Sequence, residues 1–272
     1  MRELARFVAL ICVVALAMSA MGQSVDQYDR LLLPLTTGQV PGAFGSIWKT
    51  DVALTNLSDS PLTVVGFQQR GGCPILCGPQ PPIPARATIF PDVVASACPE
   101  VRGVLLWVER GRVGDLDVAL RTHDLSRQNE TWGTTIPVIS VDELFERRFT
   151  LVDVPTDPQF RSTLRIYDFN ASTPGTIRVR IYAVDPARDV PRDNLADTLL
   201  FETTPVFSVP AGASQKTVCP GYVEIPLSGK SELSSAQRIR VEIEPLDGLK
   251  EYWGFVSVTH NETQHVTIVT PK

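Results

Sequence analysis

Along most of the chain, apolar residues fall at every second position. In TIRVRIYAV (176–184), Ile177, Val179 and Ile181 share one face, while Arg178, Arg180 and Tyr182 share the other. RIRVEIE (238–244), KTDVALT (49–55) and STLRIY (162–167) repeat the alternation. Side chains of an extended backbone point alternately to two faces, so this pattern predicts half-buried strands of antiparallel sheets. Clusters rich in turn-forming residues separate the strands: LSDSP (57–61), ERGRVGD (109–115), NASTPG (170–175) and EPLDG (244–248). Their spacing suits a sandwich. The 22 prolines disfavour long helices. The clearest helix signal is Ser140 with Glu143, at capping-box spacing behind the apolar Ile139, which predicts one short turn over 140–145.

The pattern also repeats at longer range. WKTDVALTNLSDSPLTVVGF, from Trp48, resembles FRSTLRIYDFNASTPGTIRVRI, from Phe160. Each has an aromatic residue, a base, a hydroxyl residue, an alternating strand, a turn with Pro, and another strand. Residues 118–139 resemble 255–271, sharing Thr-His and an ending in Ile and Pro. Two matched pairs in one order predict a duplication with units of about 115 residues. The second unit carries extra residues near PARDVPRDNLA (186–196). The predicted fold class is therefore all-β, with two tandem antiparallel β-sandwich (immunoglobulin-like) domains. They are expected over 23–139 and 150–272, with a short helical connector at 140–149.

The first 22 residues read differently. Arg2 and Arg6 precede an uncharged apolar run from Phe7 to Ala20, and small residues at Ala20 and Gly22 flank Met21. This predicts a secretory signal peptide cleaved after Gly22. The run is shorter than the ~20 apolar residues of a membrane span. Beyond it, the composition is globular, with 43% apolar and 20% charged residues. A net charge of −5 argues against nucleic-acid binding, which needs a concentrated positive surface. No later segment predicts a membrane span.

Four cysteines follow the signal segment: Cys73, Cys77, Cys98 and Cys219. An even number in an oxidising compartment predicts disulfides rather than the closely spaced ligands of a zinc site. Three fall in the first unit and one in the second, so complete pairing requires a bond between units. The preferred pairing is Cys73 with Cys77 and Cys98 with Cys219. The alternative is a single bond within the first unit, with Cys219 and one other cysteine left as thiols.

The stretch LLPLTTGQVPGAFGSIWKTDVALTNLSDSPLTVVGF resembles a group of exported bacterial proteins of unassigned function. Their domains open with Pro-Gly-Ala-x-Gly-x-x-Trp-Arg-Thr-Asp, here Pro41 to Asp51 with Lys49 in place of the Arg. IPARATIFPDVV (83–94) and WGTTIP (132–137) resemble later strands of the same group. The resemblance implies export and β-sandwich modules. It carries no catalytic residues.

The candidate chemistry is sparse. The chain has three histidines, and His123 and His260 fall at matching places in the repeat, which favours a structural role. There is no H-E-x-x-H, no G-x-S-x-G and no phosphate-cradling glycine loop. Asp115 and Asp117 share a strand face, but they are read as turn chemistry rather than a calcium or glycosidase pair. Neither a metal nor another cofactor is expected, and no catalytic role is assigned. Trp132 and Trp253 precede glycines near strand starts and are the candidate ligand-contact aromatics, although core packing suits them too. Asn56, Asn129, Asn170 and Asn261 open N-x-Ser/Thr sequons in expected turns.

The expectation is an exported, non-catalytic protein acting by contact at the cell surface. Adhesion, envelope structure or display of a binding face to a protein or glycan partner all fit. A carbohydrate-binding module is an alternative, if Trp132, Trp253 and the tyrosines form an exposed strip. A two-domain pilus-type assembly chaperone is a further one. Such chaperones anchor a carboxylate with Arg and Lys between their domains but are usually basic, unlike this chain.

Overall fold

The four alternating segments are strands in the computed structural model, which describes residues 27–66, 81–91, 103–127, 132–170, 175–184, 198–208, 219–246, 249 and 251–271. Segment 49–55 lies in β3 (Ile47–Asn56) and 162–167 in β11 (Phe160–Asp168). Segment 176–184 is β12 (Thr176–Val184), and 238–244 opens β15 (Arg238–Leu246). Among the described residues there is no α-helix, and the capping box at Ser140 starts only a 3-10 turn, Val141–Glu143. The signal segment, Cys73, Cys77, Cys98, Asn129 and the loop 186–196 lie outside the described residues.

The strands form four antiparallel sheets, two from residues before 141 and two from residues after 148. In the first unit, one sheet runs β4 (Val64–Val65), β6 (Gly103–Glu109), β1 (Tyr28–Pro34), β9 (Ile139–Ser140). The other runs β2 (Val40–Pro41), β3, β7 (Leu116–Asp124), β8 (Thr134–Thr135), and β5 (Thr88–Ile89) also pairs with β3. In the second unit, β10 (Phe149–Pro155), β15, β12 and β13 (Leu199–Thr203) form one sheet. β14 (Gly221–Pro226), β11, β16 (Tyr252–His260) and β17 (Val266–Val269) form the other.

Both units share one connectivity. β1 pairs with β6 as β10 pairs with β15, and β6 with β4 as β15 with β12. β3 lies between β5 and β7 as β11 lies between β14 and β16, and β8 follows β7 as β17 follows β16. In an immunoglobulin sandwich the first strand lies in the sheet of the second, and the last strand in the sheet of the one before it. Here β1 joins β6 rather than the sheet of β2 and β3, and β10 joins β15 rather than the sheet of β11, so the first strand of each unit has changed sheets.

The alternation places Leu31, Leu33, Val52, Leu54, Val104 and Leu106 inside the first sandwich. Leu164, Ile166, Ile177, Val179, Val241 and Ile243 fill the second. Strand β6 departs from half-burial: six of its residues, Gly103 to Val108, are buried. Its second face is covered by the other unit. Tyr167, Phe169, Trp253 and Phe255 of the second unit belong to the same apolar cluster as Leu105 and Trp107. Gly103 permits the approach, since a Cβ there would lie 2.6 Å from Tyr167 Cε1.

Polar contacts fix the same junction. The Leu35 N–H donates to Tyr167 Oη at 3.2 Å, and Arg30 donates to the Phe169 carbonyl at 2.8 Å and to Glu251 at 2.9 Å. Phe145, in the connector, forms a β-bridge with Tyr252. An interface this apolar opposes the hinge motion usual for tandem domains.

Candidate functional site

Two surfaces gather chemistry. The first is the outward face of β3 and β7. Alternation turns Lys49 and Asp51 outward on β3, opposite His123 and Arg121 on β7. Asp51 is the hub: Lys49 Nζ, Arg121 Nη2 and His123 Nε2 each lie 3.0 Å from its carboxylate. The histidine contact is one of proximity, because Nε2 is not aligned for a hydrogen bond. Burial works to raise the Asp51 pKa, but hydrogen bonds from Lys49 and Arg121 and the nearby charges hold it below the usual carboxylate range.

Trp132 lies on this face, 83% exposed, with the Arg121 guanidinium 3.9 Å from its ring centroid. Gly133 sets its position. Its φ is +95°, and a Cβ there would lie 2.6 Å from the Thr122 carbonyl oxygen, so only glycine lets the chain close onto β7 here. Trp253 has no such exposure. It is 4% exposed and packs 5.5 Å from Phe255 in the junction between units. The expectation of two rim-exposed contact aromatics is corrected for Trp253, because the first sandwich covers the sheet face that carries it. Tyr167, Tyr222 and Tyr252 are also buried and add nothing to such a strip.

The second surface lies farther along that same outer face of β11 and β16, beyond the apolar junction. Residues of the first unit, among them Val40 of β2, Gly42 of the following loop and Trp48 of β3, face Arg161, Arg165 and Ser257 across a cleft of about 220 Å³. Arg165 is buried and neutralised. Its Nε lies 3.1 Å from Glu224, which also accepts from Tyr222 Oη, and its Nη1 donates to Ser257 Oγ at 2.5 Å. Arg161 differs. It donates to Asn261 Oδ1 at 2.8 Å and Gln264 Oε1 at 2.7 Å, both neutral amides, and no carboxylate among the described residues pairs with it. Burial, then the nearby charge of Arg127, lowers its pKa.

Other expected residues fall into structural roles. His260 sits opposite Phe160, whereas His123 sits opposite Lys49. Trp48 and Phe160 are counterparts, so the partner of His260 in the duplication is Asp124, not His123. Asp124 accepts the Ser126 N–H, and His260 Nδ1 accepts the Glu262 N–H, each two residues on. Asp115 is held by Arg112 at 2.8 Å in a 3-10 turn. Asp117 faces Thr55 across the ladder. Asn56 is fully buried, with its amide donating to three carbonyls, which removes it as a glycan acceptor.

Cys219 is buried within the cluster led by first-unit residues. Among the described residues, no group of three His, Cys, Asp or Glu could hold a metal ion, and no helix is long and apolar enough to cross a membrane. Arg161 was visible in the sequence only as the base that opens the repeat. Its place in a cleft depends on how the units dock. No protein-family model, curated protein or solved structure matches the chain.

Proposed function

We propose that the protein is exported, non-catalytic and active by contact, presenting a fixed face to a protein or glycan at the cell surface. Trp132 carries this reading. A large aromatic held on a rigid sheet by Gly133 and Arg121, yet 83% exposed, has the character of a binding anchor. The fused sandwiches supply the rigid support that such an anchor needs. Disulfide formation belongs to the same reading, and it is supported by Cys219 lying buried in the apolar cluster that both units share. A carbohydrate-binding module built on Trp132 and Trp253 together loses its platform with the burial of Trp253. A pilus-type assembly chaperone is the second reading, favoured by the placement of Arg161, bonded only to neutral amides, in the cleft between the units.

The test uses residues 23–272, immobilised and exposed to the solubilised surface fraction of the source cells. Wild type is expected to retain a component that Trp132→Ala does not, at an unchanged melting temperature. Equal retention by both proteins, or turnover of a hydrolase substrate by the pure protein, overturns the reading.

A further inference from the structure

The Pro-Gly-Ala-Phe-Gly loop has no part in the contact face, yet it carries an unusual conformation. Phe44 has φ +57° and ψ 32°, in the left-handed region that non-glycine residues seldom occupy, and its ring is 64% exposed. Strain of this kind persists where the surroundings impose it, often at ligand sites. The loop packs closely at Gly42 and turns through a left-handed Gly45. A Cβ on Gly42 would lie 2.6 Å from Trp48 Nε1, and Gly45 has φ +73°. The result holds the Phe44 ring 5.1 Å from the Arg161 guanidinium of the other unit.

Arg161 stands where two cavities meet. Beyond the cleft already described, it also lines a larger hollow of about 560 Å³, within the roughly 300–1,000 Å³ usual for small-ligand sites. The hollow has three chemical features. Phe44, Phe160, Pro155 and Pro158 supply flat apolar walls. Ser228, Ser231, Ser234 and Asn261 supply hydroxyl and amide groups. Arg161 and Lys230 supply positive charge, and among the described residues no Asp or Glu lines either cavity. That last point is notable in a chain with a net charge of −5.

A guanidinium has five N–H donors, and the two bonds to neutral amides leave three without a partner among the described residues. Arg161 is therefore oriented but not neutralised. A ligand carboxylate would complete it in the forked geometry that arginine favours. The ligand body must then match apolar plates interleaved with hydroxyls, as a pyranose ring does. An extended peptide is less suited, because the walls are turns. Of the described strands, β10 reaches the hollow only with its last residue, Pro155, and β11 only with its first two, Phe160 and Arg161. We propose that this hollow binds the uronic-acid unit of an acidic saccharide, with its carboxylate on Arg161 and its ring against Phe44. The site is separate from the Trp132 face.

Calorimetric titration of residues 23–272 tests this with three probes: tri-galacturonate, its methyl ester, and an N-acetylated tetrapeptide with a free C-terminal carboxylate. Tri-galacturonate is expected to bind in a salt-sensitive manner, and the ester and peptide are not. Arg161→Gln should weaken binding about tenfold or more, as expected for loss of a charge-assisted hydrogen bond. Lys230→Gln and Phe44→Ala give the same readout should Arg161→Gln fail to fold. No binding of tri-galacturonate, equal binding of the ester, or affinity untouched by these variants overturns the proposal. Binding of the peptide instead also overturns it and favours the chaperone reading.

Discussion

Asn56 and Asp168 hold the same place in the two sandwiches. Each ends the long strand of its unit, each is almost wholly buried, and each accepts a hydrogen bond from the backbone N–H two residues on. Those donors are Ser58 at 3.0 Å and Asn170 at 2.8 Å. Their chemistry differs. The Asn56 amide also donates to the carbonyls of Ser60, Ile83 and Pro84. Asp168 has no such donor when ionised, and it lies near Glu251 and Arg30 at the junction between units. Burial above all, with the charge of Glu251, pushes its pKa up to about 7, against the opposing pull of the Asn170 N–H and Arg30.

That shift has a definite sign. Between about pH 4 and pH 7 the folded protein holds a proton that the unfolded chain has released, so stability falls as pH rises through this window. Below the window the term vanishes, and above it the loss is constant, at most about 4 kcal/mol for a shift of this size. Asp168→Asn supplies the amide that the duplication places at Asn56. It should flatten this slope and stabilise the protein at about pH 8, with little change near pH 4. Urea unfolding across that range measures the difference, and an unaltered slope in the variant would count against the assignment.

The contact of Gly103 with Tyr167 predicts how the units unfold. With a Cβ required 2.6 Å from the Tyr167 ring, Gly103→Val must push the two sheets apart. The expected cost is about 1–3 kcal/mol, typical of overpacking in a filled core. Wild type should melt in one cooperative transition, because Trp107, Phe255 and their neighbours form one cluster across both units. Calorimetry of the variant should show the transition broadened or split. A wild type that already melts in two steps contradicts the fused junction.

The strands were legible because a half-buried sheet writes its two faces into alternate residues, as Ile177, Arg178, Val179 and Arg180 show. The duplication was legible from the aromatic-base-hydroxyl start, although the shared Thr-His pair misled by one residue. His260 and Asp124 are counterparts through register, which identity between letters cannot reveal. The burial of Trp253 was hidden for another reason. Its strand alternates normally, but the outward face is covered by a different sandwich, and docking between units leaves no period in either sequence. Arg161 was obscure in the same way. A base at a strand start reads as solvated until the neighbouring loop, with Phe44, closes over it.

Cys219 predicts a covalent partner of the same junction. It is 1% exposed in the apolar cluster shared by both units, and the other three cysteines after residue 22 belong to the first unit. A bond from Cys219 to Cys98, with Cys73 joined to Cys77, is the expected pairing. In the chain-entropy model the long loop contributes about 4–5 kcal/mol. Non-reducing peptide mapping should find Cys219 linked to a peptide from the first unit, and reduction should lower the melting temperature. Recovery of Cys219 as an alkylated thiol in the native protein would falsify the pairing.

The duplication raises a final question, because the second unit rests on the first by a contact that need not stop there. The outer face of β11 and β16 packs on the outer face of β1 and β6. Its counterpart on the first unit, the outer face of β3 and β7, is left open by the described residues. The described residues likewise leave open the second unit's counterpart of the β1 and β6 face, on β10 and β15. Were both open faces apolar, copies would join head to tail in an unclosed stack. Charge occupies them instead. Lys49, Asp51, Arg121 and His123 cover one. Arg178, Arg180, Glu242 and Glu244 cover the other sheet, with Arg180 2.9 Å from Glu202 and 3.0 Å from Glu242. Such faces act as caps, as polar terminal units do in repeat proteins. The protein is therefore expected to sediment as a monomer at all accessible concentrations. Arg180→Leu combined with Glu242→Leu uncovers an apolar patch and should produce concentration-dependent association. Wild type sedimenting as a dimer or filament would show that these charged faces do not end the stack.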